Sequence, residues 1–175
     1  MCRRGNTHGG GAQTNVNGLN FENQTSLDAV LQSMGFSVQD CEVKLGEKII
    51  GWSVPKMKLY SKFLKPRNID YKDFNSKQWQ PDECFINAQN NVAYIIEKKY
   101  QEVPGSVDEK LPGCHFKKGE YEKLFSPLEY KVEYIYVFNN WFYASEYRDV
   151  MEYIISVGCR YYFNEIPIRS LGIDI

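Results

Sequence analysis

The stretch PDECFINAQNNVAYIIEKKYQ, residues 81–101, sets Asp82 ahead of Glu97 and Lys99 across a run of strand-forming residues. Side chains alternate along an extended strand, so Glu97, Lys99 and Gln101 share one face while Ile96, Lys98 and Tyr100 point to the other. Ala88, Gln89, Asn90 and Asn91 have the composition of a tight turn, and a hairpin through them returns the chain so that Asp82 comes beside Glu97. Two carboxylates and an ammonium then converge at one sheet edge. Carboxylate oxygens suit a hard cation such as Mg²⁺, with Mn²⁺ as a substitute, and such a cation keeps water in several of its positions. The backbone carbonyl of Lys98, lying between the two side chains, is a natural third ligand. A cation held there acidifies bound water and neutralises charge building on a phosphorane. Lys99 is placed to orient the attacking water and to stabilise the developing anion. The chemistry expected is hydrolysis of a phosphodiester.

Each half of this constellation has an ordinary explanation when taken alone. Pro81-Asp82 is common turn chemistry, and Glu97-Lys98-Lys99 could be a solvated strand end. The apolar run 92–96 that leads into the charges changes the balance, because charge leaving a core strand needs a partner. Other chemistries find less support. Cys114-His115 with Cys84 or Cys159 has no zinc-finger spacing. Only His8 and His115 are available for a histidine mechanism, and no GxxxxGK[ST] loop is present to cradle a nucleoside triphosphate.

Pro81-Asp82 followed by Glu97-Lys98-Lys99 on a β-hairpin resembles the signature of the PD-(D/E)xK nuclease superfamily, to which many type II restriction endonucleases belong. That resemblance implies a Mg²⁺-dependent endonuclease acting on double-stranded DNA, with Asp82 and Glu97 as metal ligands and Lys99 as the catalytic lysine. It also implies a restriction-endonuclease-like core. Members often add a glutamate from an early helix, which Glu22 in GLNFE matches, and in some branches a glutamine after the lysine, which Gln101 matches. The stretch from Gly105 to Lys110 resembles a loop that approaches DNA in restriction-type nucleases, which makes Ser106 and Lys110 candidate phosphate contacts. A palindromic target would be matched by a two-fold homodimer. A structure-selective repair or recombination nuclease, or a non-catalytic nucleic-acid-binding module on the same fold, are the alternatives.

The elements that must position these residues follow from the hydrophobic pattern. Residues 18–34 carry Leu27, Val30, Leu31 and Met34 at helical spacing, with the helix starting near Leu19 or at Ser26. One or two strands are expected over 39–60 and a hairpin over 82–87 and 92–101. A short helix is expected over 117–125, a strand over 131–139, a helix over 147–157 and a last strand over 160–165. This order predicts an α/β arrangement, a central mixed sheet flanked by helices. Residues 1–17, rich in Gly and Asn, read as a flexible arm, and 18–175 as one domain.

With 175 residues and 43% hydrophobic content the chain can bury a core without staples. Five cysteines in no CxxC pair, and no apolar N-terminal stretch, point to an intracellular protein with free thiols and no membrane segment. The net charge of −1 argues against bulk charge-driven binding of nucleic acid. Residues 44–77 nevertheless hold nine basic residues against three acidic ones. Lys56, Lys58, Lys62, Lys65 and Arg67 there, interleaved with aromatics, suit a surface that tracks a phosphate backbone.

Overall fold

The hairpin that carries Asp82 and Glu97 sits at the centre of a seven-stranded sheet whose strands are ordered as in the chain. A computed structural model describes residues 10–173, and their side chains from Asn17 onward. Two helices come first, α1 (Gly10–Gln24) and α2 (Leu27–Ser33). The strands β1 (Ser37–Gln39), β2 (Glu42–Leu45), β3 (Lys48–Ser53), β4 (Glu83–Asn87) and β5 (Val92–Lys99) then run antiparallel to one another. α3 (Cys114–Phe125) crosses over to β6 (Lys131–Phe138), and α4 (Arg148–Ser156) to β7 (Arg160–Phe163). Both of these strands pair parallel to their predecessors. This is the mixed sheet flanked by helices that the hydrophobic pattern predicts.

Each face of the sheet is covered by its own core. On one side Tyr121, Leu124 and Phe125 of α3 and Met151 and Ile154 of α4 pack on Cys84, Ile95, Tyr134 and Tyr136. On the other, Phe21, Leu27 and Leu31 and the C-terminal Ile168, Leu171 and Ile173 pack on Phe85, Tyr94, Ile96 and Val137. β5 and β6 are therefore buried on both faces, which is why they read as nearly continuous apolar runs.

The hairpin turn is made by side chains acting on backbone. Asn87 Oδ1 accepts the Gln89 and Asn90 amides at 2.7 and 3.4 Å, Asn90 Oδ1 accepts from Val92 N, and Asn91 takes a left-handed φ of 55°. Gly51 lets β3 approach β4. A Cβ there would stand 2.1 Å from the Ile86 carbonyl oxygen, a distance no side chain tolerates.

Several expectations are corrected in detail. The stretch 18–34 holds two helices, broken at Thr25-Ser26, and the second starts where the Ser26 alternative put it. Ser26 caps α2 through its Oγ, and Thr25 Oγ1 turns back onto the Phe21 carbonyl, so the local polar groups favour the break. Of the arm expected over 1–17, residues 1–9 lie outside those described. From Gly10 the backbone is helical, and Asn17 Nδ2 donates to Glu102 Oε2 at 2.8 Å, a tertiary tie that composition does not reveal. The stretch 39–60 holds two strands, β2 and β3, as expected, and Asp40 and Cys41 adopt positive φ and turn the preceding β1 into β2. Beyond Pro55 it becomes a π-helical turn, Leu59–Leu64. α3 is longer than the expected 117–125, since its first turn follows directly from a 3-10 segment, Asp108–Gly113.

Candidate active site

β4 and β5 pair with Glu83 opposite Ile96, a register that leads Asp82, one residue before β4, toward Glu97. Asp82 Oδ2 accepts the Lys98 backbone N–H at 2.7 Å, which holds that carboxylate against β5. Glu97 is 5% exposed. Its Oε2 lies 3.0 Å from Lys99 Nζ and 3.6 Å from Lys117 Nζ, so the buried carboxylate is met by two ammonium groups. Lys99 Nζ also donates to the Lys98 carbonyl oxygen at 3.2 Å. Asp82, Glu97, the Lys98 carbonyl and Lys99 thus fall within two residues' length of β5.

The other face of the same strand carries a different arrangement. Lys98 Nζ, on a side chain only 3% exposed, reaches Glu83 Oε1 at 3.0 Å. It also donates to the carbonyls of Glu22, in the last turn of α1, and Thr25, just beyond it, at 2.9 and 3.0 Å. Glu83 in turn accepts the Leu27 amide that opens α2. A cation therefore satisfies the carbonyl end of one helix and an anion the amide end of the next, each sign where the helix termini favour it. Burial pushes the Glu83 carboxyl up from its ordinary value, with Lys98 and the Leu27 amide pulling against that.

Glu22 shares a cavity of about 270 Å³ with Asp82, Glu83, Lys98 and Lys56. It is paired with Lys56 at 3.4 Å, and Glu97, Lys99 and Lys117 do not line that cavity. Gln101 is 3% exposed, and its backbone is clamped by Asn139 through bonds of 3.2 and 2.8 Å. Its side-chain amide has no hydrogen-bond partner among the described residues. Ser106 and Lys110 are exposed on the loop and 3-10 segment that lead to α3.

In the basic segment, Lys56 N donates to the Pro81 carbonyl, which roots the segment beside Asp82. Lys58 and Lys65 are exposed, and Lys62 is exposed but paired with Asp40 at 2.8 Å. Arg67 is committed to packing: its guanidinium lies 3.8 Å from the Phe63 ring centroid and donates to the Phe63 carbonyl. Such stacking leaves it little freedom to reach a phosphate.

Sequence pattern alone leaves Lys117 indistinguishable from its neighbour Lys118. The structure separates them, since Lys118 turns to the Gly158 carbonyl at 2.9 Å while Lys117 faces Glu97. The partners of Lys98 and Glu83 were equally invisible, although alternation correctly sends Lys98 away from Lys99.

The donor set of Asp82, Glu97 and the Lys98 carbonyl is all oxygen and fits a hard divalent cation that retains water. Among the described residues no group of three or more His, Cys, Asp and Glu side chains is placed to hold a metal ion.

The family model for the PD-(D/E)XK nuclease superfamily domain matches residues 20–118, which run from the end of α1 to the first turn of α3 and include Asp82, Glu97 and Lys99. The chain belongs to the PD-(D/E)XK nuclease superfamily. Neither the curated proteins nor the solved structures contain a match to it. No helix among the described residues is long and apolar enough to cross a membrane.

Proposed function

We propose that this chain is a Mg²⁺-dependent DNA endonuclease of restriction type, which cleaves duplex DNA at a short site as a homodimer. What supports the reading is the approach of Asp82 to the end of β5, the strand that carries Glu97 and Lys99. Asp82 is fixed there by the Lys98 amide, and Glu97 is buried against ammonium groups. Asp82, Glu97 and the Lys98 carbonyl would hold the cation, which would polarise a phosphate oxygen and acidify water when bound. Asp82 and Glu97, being anchored, supply oxygens that need little reorganisation. Lys99, tethered at 3.0 Å to Glu97 and 21% exposed, keeps its ammonium at the mouth of the site, where it orients the attacking water and stabilises charge on phosphorus. Glu22 lines the same cavity as Asp82 and would support the water network there. The unpartnered Gln101 amide retains hydrogen-bonding capacity for a water or a phosphate oxygen.

The substrate assignment to DNA rests on the exposed Lys56, Lys58, Lys62 and Lys65, which start beside Pro81-Asp82, with Ser106 and Lys110 as further backbone contacts.

The test is incubation with phage DNA and Mg²⁺ beside a Lys99→Ala control, paired with calorimetric titration of Mg²⁺ into the chain and into Asp82→Ala. Discrete bands from the parent, none from Lys99→Ala, and loss of ion binding in Asp82→Ala are expected. Absence of divalent-ion binding in the parent would refute the proposal.

A further inference from the structure

We infer that Lys117, at the start of α3, is a second active-site cation that holds a phosphate oxygen of the substrate; this rests on the nuclease reading of the same site. Three observations lead to it. First, Glu97 already has a counter-ion in Lys99 at 3.0 Å, so neutralising one buried carboxylate does not require the second ammonium at 3.6 Å. Second, Lys117 sits in the first turn of a twelve-residue helix that has no acidic residue there. Nothing within that turn draws the ammonium inward, and the seating of α3 on the sheet brings it to Glu97. Third, its side chain is 25% exposed and its ammonium lies 5.7 Å from the ring of Trp79, so the side chain borders solvent instead of being sealed in the core.

Charge balance explains what the second cation is for. The carboxylates of Asp82 and Glu97 are matched by the ammoniums of Lys99 and Lys117, and this cleft is neutral as it stands. With a divalent cation present it carries two positive charges. A phosphodiester brings one negative charge and the attacking hydroxide another, so the five-coordinate state in which the new P–O bond forms and the old one breaks carries two. With Lys99 alone the cleft would match the ground state and fall one charge short of the transition state, which is the state that must be favoured. Occupation of Glu97 by the cation would release both ammoniums toward the phosphate, with Lys117 approaching from the α3 side.

The experiment compares Lys117→Gln, Lys117→Arg and Lys118→Gln with the parent, after melting curves confirm that each is folded. Lys118 is a neighbour of equal charge tied to Gly158, and serves as the control. Calorimetry with Mg²⁺ alone should show tighter ion binding in Lys117→Gln, by a few-fold, because a competing cation has left Glu97. Anisotropy with a fluorescent duplex oligonucleotide in Ca²⁺ should show weaker binding, with the slope of log K against log salt smaller by about 0.9. Cleavage should fall roughly ten- to a hundredfold in kcat/KM, with partial rescue in Lys117→Arg. Opposite signs for ion and DNA affinity are the signature; a Lys117 that only buttressed Glu97 would leave DNA affinity and its salt slope unchanged, and that result overturns the inference. If the parent cuts nothing with any divalent ion, the nuclease reading fails, while the ion and DNA binding measurements still decide Lys117. Absence of DNA binding by the parent would overturn both.

Discussion

Replacing Lys98 by Met should unfold the chain far more readily, whereas replacing its neighbour Lys99 by Met should silence it without unfolding it. Lys98 Nζ is bonded to Glu83 Oε1, Glu22 O and Thr25 O at 3.0, 2.9 and 3.0 Å, on a side chain 3% exposed. Methionine keeps the apolar stem but leaves a buried carboxylate and two helix-end carbonyls without their cation. Removing one partner of a buried pair costs about 3–5 kcal/mol. For a chain of this size that corresponds to a fall in Tm of about 6–20 °C. Urea denaturation of Lys98→Met, Glu83→Gln and the double variant gives the coupling. The double variant should be more stable than the two single losses added together, by about 1 kcal/mol or more. Lys99 is 21% exposed, and Glu97 retains Lys117 when it is lost. Lys99→Met should therefore cost about 1 kcal/mol or less, while cleavage falls a hundred- to a thousandfold, roughly the effect of losing one preorganised charge stabiliser. A Lys98→Met chain within about 0.5 kcal/mol of the parent, or no coupling to Glu83, would refute the assignment of the two lysines to separate tasks.

Two further outcomes follow from the same geometry. Because burial raises the Glu83 carboxyl, the folded state holds that proton when the unfolded chain has lost it. The contribution of Glu83 to stability should therefore decline as pH rises above the ordinary glutamate value, through the window that ends at its raised value. Denaturant midpoints from pH 4 to 7 should fall more steeply for the parent than for Glu83→Gln, and a difference that is flat or of opposite sign would contradict the burial argument. Gly51→Ala would put a methyl 2.1 Å from the Ile86 oxygen and push β3 off β4, at a cost of about 3 kcal/mol by urea denaturation. A variant within about 1 kcal/mol of the parent would show that the strands yield without loss.

How much of this was legible in the sequence depends on the range of the interaction. Alternation within one strand is local, so the separation of Glu97 and Lys99 from Lys98 could be read directly, as could the Asn-rich turn that returns the chain to Asp82. The buried runs of β5 and β6 and the helices that follow them also announced the mixed sheet. What a side chain meets across 20 or 76 residues is a different matter. Lys117 and Lys118 are equivalent as letters, and only the seating of α3 against the sheet turns one toward Glu97 and the other toward Gly158. Lys98 reads as a charged strand residue until α1 ends above it and lends it two carbonyls. Arg67 reads as one more free cation until Phe63 and Trp52 stack against it. Sequence determined the residue types, their faces and the hairpin that gathers them, because these rest on backbone periodicity and turn chemistry. Tertiary structure decided which charges are paired, which are buried and which stay available, because a charge's energy is set by the dielectric and the partners that packing brings to it.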